Sequence, residues 1–579
     1  MEKEKHIVII GDTPCRTPAE MLQSTVFRHV LERFVARLQR QDSPHLAAIQ
    51  AFAPPGAEFD LPGIIELLRL LVSNSPAEIT TSVPAHAPAL ADPSLLYKFV
   101  EELYNFWRKQ ERFLIYERGP SLLGEEPARH KSFVKANESL KNLVLETYRS
   151  ICANLLGRRF RIYRQLPSGA GAGLLMEKIN WDAPAGYAQL LEIPFIQLAV
   201  IEPPLVYYPK RNYRKGLFEP VSDNPLLKAR LNPREWACYP AKVGDLLLFI
   251  YFHHSYLAMG ASLSNLFELA DATEIRAHRP DGVMVFGVDP EILGQNQTVY
   301  FEDPVNNLVL GVIGHSEDVD YFGYFKKMAL TLHNVIMIER GFLPIHGAMA
   351  RIVLKSGRGA NVILMGDSGA GKSESLEAFR VLADEYIRQL TVIFDDMGSL
   401  RKTRDGRIVA MGTEIGAFVR LDDLEPGFAY TEIDRSIFMN PHRANARLVI
   451  PLTPYQEVVA GYPIDLFLYA NNYEQVDEAH PHIEFYSDES KAFQVFSQGA
   501  RVSKGTTDEQ GLVHTYFANP FGAPQKREKH DLLAQAYLKA MLANGVKIGQ
   551  LRTRLGIAGY ELGGPESAAR ALFEFITKA

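Results

Sequence analysis

The chain has 579 residues, too many for one hydrophobic core, so two or three domains are expected. With 47% apolar and 22% charged residues, its composition is that of an ordinary soluble globular protein. A net charge of −6 gives no electrostatic ground for binding nucleic acid or an anionic membrane.

His6 to Ile10 reads as a strand. Helical periodicity follows over Ser24–Phe52, Leu61–Ser73, Ser94–Tyr116 and Lys135–Leu156, interrupted by a Pro- and Ala-rich stretch, Thr80–Pro93, that reads as a loop or linker. From about Arg159 the pattern changes to short apolar runs between Gly, Pro and Asp, as at Phe195–Ile201, Asp245–Phe252 and Gly282–Phe286, which suggests mixed α/β structure. The expected division is a mainly helical N-terminal region (1–158), a mixed α/β substrate domain (159–320) and a C-terminal nucleotide- and metal-binding domain (321–579). The N-terminal MEKEKHIVII has too short an apolar run for a signal peptide, and no later run reaches membrane-spanning length. Cys15, Cys152 and Cys238 are odd in number, far apart and without metal spacing, so they read as free thiols of a cytoplasmic protein.

The last region holds Gly366-Asp367-Ser368-Gly369-Ala370-Gly371-Lys372-Ser373, a full match to G-x-x-x-x-G-K-[ST]. The apolar run Asn361–Met365 before it reads as a buried strand, and Glu374–Leu382 after it as a helix. Backbone amides of such a loop turn inward onto a polyphosphate; Lys372 can reach the β- and γ-phosphates and the Ser373 hydroxyl the magnesium they carry. Upstream stand Tyr321-Phe322-Gly323-Tyr324-Phe325-Lys326-Lys327 and Pro344-Ile345-His346-Gly347. Downstream, Val392–Phe394 reads as a short strand ending in Asp395-Asp396, a position suited to carboxylates that hold the nucleotide's metal.

In this order, the tyrosine, the Lys-Lys pair, the histidine, the loop and the Asp-Asp pair resemble ATP-dependent phosphoenolpyruvate carboxykinase, whose fold is shared in part by HPr kinase. The resemblance continues with Asn445-Ala446-Arg447, similar to the family's Asn-x-Arg. Phe496–Gly499 and Gly505–Thr507 resemble the segment leading into its mobile lid, Asn519–Gly522 the Phe-Gly that closes the lid, and Tyr537–Gly545 the helix after it. It covers roughly residues 300–579, about half the chain, and implies an α/β carboxykinase-like fold with the active site between the last two domains.

The resemblance also implies roles. Lys327, His346 and Asp396 would bind a transition metal such as Mn²⁺, with the lysine as a neutral amine whose pKa Lys326 and the metal push down. Ser373 and the nucleotide would hold Mg²⁺, with Asp395 of the Asp-Asp pair beside them. Lys372, Lys326 and Arg447 would neutralise the moving γ-phosphoryl of ATP. Tyr321 would line the acceptor pocket, and amides from Ser368, Gly369, Ala370, Gly371 and Lys372 would cradle the phosphates. The expected partners are a nucleotide and a small anionic substrate, with neither nucleic acid nor membrane; the oligomeric state is left open.

The sequence also departs from the family. A Gly-Arg-Ser-Pro segment that would grip the substrate carboxylate is absent, and Leu166–Gly173 near its place has no arginine. Arg158, Arg159, Arg161, Arg164, Lys210, Arg211, Arg214 and Lys215 lie to either side as alternative cations, and Gly169–Gly173 reads as a second anion loop or a plain flexible one. Asp508-Glu509-Gln510 stands where the family has Glu-Arg, and no basic residue is found near Ala417. Gly-Lys-Ser-Glu and His346-Gly347 resemble HPr kinase instead. The readings are therefore a carboxykinase-like enzyme acting on a small carboxylate-bearing acceptor, a kinase for a hydroxyl with an Asp395 or Asp396 base, or a nucleotide sensor without turnover. His253-His254 and His480, His482 and Glu484 are further, weaker candidates for metal ligands.

Overall fold

The computed structural model describes residues 6–10, 15–53, 58–118, 126–157, 168–214, 218–367, 370–372, 375, 378–379, 386–421, 433, 435–503, 511–561 and 563–578. The protein is mixed α/β with several sheets, and it divides into two compact units. One consists of residues 1–178 and 196–205, the other of 179–195 and 206–579. Among the described residues no helix is long and apolar enough to cross a membrane, and Cys15, Cys152 and Cys238 are free thiols.

The first unit packs helices α1 (Pro18–Gln23), α2 (Thr25–Arg40), α3 (Leu61–Leu71), α4 (Pro76–Ser82), α5 (Pro93–Arg108) and α6 (Glu126–Leu156) around one core. In α2 the buried Phe27, Val30, Leu31, Phe34, Val35 and Leu38 recur at three- and four-residue spacing, and Ser24 caps the first turn through the Phe27 amide. Strands β1 (His6–Ile10), β2 (Glu111–Arg118) and β3 (Ala172–Glu177) run parallel, with Phe195–Ile201 next in order.

Four expectations for this unit are corrected. The helix read over Ser24–Phe52 stops at Arg40: Asp42 adopts φ 45, and Pro44, which lacks an N–H, starts a separate 3₁₀ helix to Phe52. The helix read over Ser94–Tyr116 stops at Arg108, because the apolar run Phe113–Ile115 is buried as a strand between two parallel neighbours, where helical periodicity is not needed. The loop read over Thr80–Pro93 begins inside α4, closed by a Ser75–Glu78 capping box, and continues as a 3₁₀ helix over Pro84–Leu90. Gly169–Gly173 is neither anion loop nor free linker. The Gly171 amide is spent on the Arg112 carbonyl at 2.8 Å, and Ala172 already belongs to β3. Arg158, Arg159, Arg161, Arg164 and Lys215 lie outside the described residues.

The second unit contains a sheet in the order Trp236–Val243, Leu246–His253, Gly282–Val288, Leu308–Gly314, Thr298–Asp303 and Glu219–Val221. Helix α7 (Phe322–Glu339) leads from it to an eight-stranded sheet. There β4 (Leu343–Leu354) pairs antiparallel with β5 (Gly359–Met365) on one side and β6 (Ile387–Lys402) on the other. Leu466–Asn471 and Lys547–Arg552 continue parallel beyond β5. A small sheet pairs β7 (Gly416–Arg420) with β8 (Arg447–Pro451), and a hairpin pairs Ala500–Val502 with Leu512–His514. The short strand expected at Val392–Phe394 is in fact the 16-residue β6, which runs straight through Asp395-Asp396. Its ladder to β4 has room for Ile393 as an extra residue, since Val392 faces Ala350 and Phe394 faces Met349. Of the helix read over Glu374–Leu382, only Ser375, Ala378 and Phe379 are described; Gly505–Thr507 and Asp508–Gln510 lie outside.

Candidate active site

Helix α7 is apolar on every side and buried along almost its whole length, so each polar residue on it needs a partner. Lys326, 1% exposed, lies 2.8 Å from Asp396 Oδ2 and 2.9 Å from Glu414 Oε1. Lys327 reaches the same Asp396 Oδ2 at 2.7 Å. From β4, the buried His346 places Nε2 2.7 Å from Asp396 Oδ1 and Nδ1 2.5 Å from the Ala518 carbonyl. Lys326, Lys327 and His346 thus meet on one carboxylate. Asp396 has φ 143, a conformation strained for any residue with a side chain, at the point where the three bases converge. Asp395 stands opposite Ala348 in the ladder and is half-buried.

Electrostatics within the cluster are strongly uneven. Burial raises the Asp396 carboxyl, but Lys326, Lys327 and His346 outweigh it and hold the group well below the usual carboxylate range. Burial and the adjacent Lys326 charge push Lys327 down to about 8, against the pull of Asp396. Lys326 is raised instead: burial opposes its charge, but Asp396 and Glu414 flank it. Glu414 is lifted by burial, and further by Asp396, to about 7. Burial and then Lys372 lower His346, against the pull of Asp396. With Nδ1 held at the Ala518 carbonyl, the ring turns Nε2 toward Asp396 Oδ1, where a proton or a metal cation fits between them.

The loop starts beside this cluster. The Gly366 amide donates to the His346 carbonyl at 3.0 Å, the Ala370 amide to Asp367 at 3.0 Å, and Ser375 N to Gly371 O at 2.9 Å. Gly371 has φ 103, and a Cβ there would stand 2.9 Å from Thr553 Oγ1, so the position suits glycine alone. Lys372 is buried and donates to the Gly366 carbonyl at 2.7 Å. Ser368, Gly369 and Ser373 lie outside the described residues.

Tyr321 caps α7 and is buried; its hydroxyl, raised by burial, is hydrogen-bonded to Arg447 and lies in the field of Arg214 and Lys326. A Cβ at Gly323 would fall 2.3 Å from the Tyr321 ring, so the ring's placement depends on that glycine. Arg447 Cζ lies 5.5 Å from the Phe418 ring, and Lys326 Nζ 6.0 Å from the same ring.

Reading the sequence missed Glu414 and Arg420. Glu414 lies in the connection between Ile408–Gly412 and β7, with no local pattern to mark it. Arg420 ends β7 directly across from Arg447. It stands three positions beyond Ala417, near which no basic residue was expected. Of the alternative cations, Arg214 has its guanidinium 5.3 Å from the Phe218 ring and 5.5 Å from Phe521, and Lys327 Nζ is 4.4 Å from that same Phe521 ring. Lys210 and Arg211 instead pair with Glu317 and Asp318. His253 faces Glu235 at 3.8 Å, His480 is tied to Asp477 at 3.0 Å, His482 to the Arg552 carbonyl and Glu484 to Arg552 and Lys491.

Compared with protein-family models and with curated proteins, the sequence matches none.

Proposed function

We propose that the protein is a phosphoryl-transfer enzyme that moves the γ-phosphoryl of ATP to a small carboxylate-bearing acceptor, in the manner of the phosphoenolpyruvate carboxykinases that its C-terminal half resembles. The observation that carries this reading is the convergence of Lys326, Lys327 and His346 on Asp396, with the Gly366 loop bonded to the backbone of His346. A phosphate loop alone fits any nucleotide-binding protein. A second, largely buried cation cluster at its edge is an arrangement that suits an oxyanion receiving a phosphoryl group.

The donors also suit a divalent metal such as Mn²⁺. They comprise an imidazole with Nε2 turned toward the carboxylate, the carboxylate itself and an amine pushed down to about 8, Lys327. A metal held by Lys327, His346 and Asp396 would supply Lewis-acid stabilisation of an enolate oxygen. The chain's own groups do the rest. Lys372 and Lys326 place positive charge on the transferring group, and Arg447 with Arg420 faces it from the small sheet. Tyr321 and Arg214 shape the acceptor's end, where the guanidinium takes a carboxylate. With oxaloacetate as acceptor, loss of carbon dioxide leaves an enolate whose oxygen attacks the γ-phosphorus as the bond to ADP breaks.

A hydroxyl kinase would need a general base beside the acceptor. Of the two candidates, Asp395 and Asp396, the latter is already engaged by Lys326, Lys327 and His346 and is the poorer one. The test is nucleotide turnover with Mn²⁺ and Mg²⁺ against oxaloacetate, phosphoenolpyruvate plus bicarbonate, and a panel of hydroxy acids, with Lys372→Ala as blank. Oxaloacetate-dependent ADP formation absent from the blank is expected. Turnover confined to hydroxy acids would replace the carboxykinase reading with the kinase one.

A further inference from the structure

The second residue of the loop is an aspartate, an unexpected charge to set beside a polyphosphate. Its side chain is turned away into the protein and is 9% exposed. Asp367 Oδ2 accepts from Arg501 Nε at 3.1 Å and from Thr515 Oγ1 at 2.8 Å, while Oδ1 lies 3.8 Å from His346 Nδ1. Arg501, itself 5% exposed, belongs to the hairpin strand Ala500–Val502, and Thr515 follows the partner strand Leu512–His514. Thr515 N in turn donates to Gly499 O at 3.1 Å, and Gly499 has φ 54 where a Cβ would fall 1.7 Å from the Thr515 carbonyl. One carboxylate therefore joins the loop, both ends of a hairpin and the neighbourhood of the metal-binding histidine.

We propose that Asp367 is a positioning residue that fixes the Gly366–Lys372 loop at one distance from the Asp396 cluster, with Arg501 as its counter-charge. A buried ion pair contributes little net stability compared with apolar residues of the same volume, so geometry is the reason to keep one here. Arg501 also neutralises a carboxylate that would otherwise oppose the phosphates. The effect on turnover rests on the phosphoryl-transfer reading; the effect on the loop does not.

Two measurements separate them. Amide hydrogen exchange of the peptide carrying Gly366 to Lys372 is compared in wild type, Asp367→Asn, Arg501→Gln and the double variant. Each single change is expected to speed exchange there at least tenfold, with β4 and β5 within twofold; the double variant, an amide facing an amide, recovers most of the protection. In the turnover assay the single variants are expected to lose at least tenfold in kcat, with KM for ATP within threefold and bound-nucleotide stoichiometry unchanged. Unchanged loop exchange in both single variants would overturn the proposal, as would equal acceleration across β4 and β5, the sign of a general loss of packing. Faster loop exchange in a protein that never turns over ATP would keep the pin and remove the enzyme reading.

Discussion

Glu414 Oε1 stands 2.9 Å from Lys326 Nζ, and neither residue is more than 2% exposed. Lys326 is therefore shared between two carboxylates, just as Asp396 is shared between two lysines and a histidine. The four charged side chains balance only as a set, and removing any one leaves a buried charge without its counterpart. Glu414→Ala should destabilise the protein by about 3 kcal/mol. Glu414→Gln, which keeps the volume and an acceptor but not the charge, should cost less stability than Glu414→Ala and lower turnover. Urea denaturation beside kcat measures both, and an unchanged midpoint in Glu414→Ala would remove Glu414 from the balance.

Lys327→Ala takes one nitrogen donor from the proposed metal site and leaves Lys326 in place. Mn²⁺ affinity, read from the free-ion electron paramagnetic resonance signal, should fall at least tenfold, and His346→Ala should do the same. Equal Mn²⁺ affinity in Lys327→Ala and wild type would favour the hydroxyl-kinase reading, which has no use for the amine as a ligand.

Arg214→Gln should raise KM for the acceptor about tenfold or more while leaving KM for ATP unchanged, because the guanidinium lies at the Phe521 and Tyr321 end of the site. A rise in KM for ATP alone would place Arg214 on the nucleotide instead.

Two histidines away from the cluster set an acid limit. Burial pushes both His333 and His530 down to about 4. The unfolded chain binds their protons near pH 6.5 and the folded chain only near 4, so between these values unfolding takes up protons and acid favours it. Stability is full above pH 6.5 and should fall by on the order of 3 kcal/mol per histidine as pH drops to 4. Denaturation at pH 7.5, 6 and 5 should show this slope, shallower in His530→Gln. A flat profile over that range would mean that neither ring is held neutral.

Much of the site could be read in the chain because its chemistry is local. The glycines and Lys372 of the loop, the paired lysines on one helical turn and the strand Gly359–Met365 are set by spacing within a few residues. Glu414 and Arg420 escaped notice because each is tied in through an ion pair or strand pairing with residues far away in sequence. The helices broken at Arg40 and Arg108 failed for another reason. Phe113–Ile115 is apolar at every position, and such a run becomes helix or strand according to which neighbours bury it.

The Ala518 carbonyl that orients His346 comes 172 residues after it, and the Phe521 carbonyl that holds Asn334 comes 187 residues later. During synthesis at roughly 5–20 residues per second, the lysines and the histidine emerge about 10–35 s before the segment that sets them. The cluster is thus among the last parts of the protein to take shape. A nascent or truncated chain ending before Ala518 would carry every residue of the cluster itself without the carbonyl that orients the His346 ring.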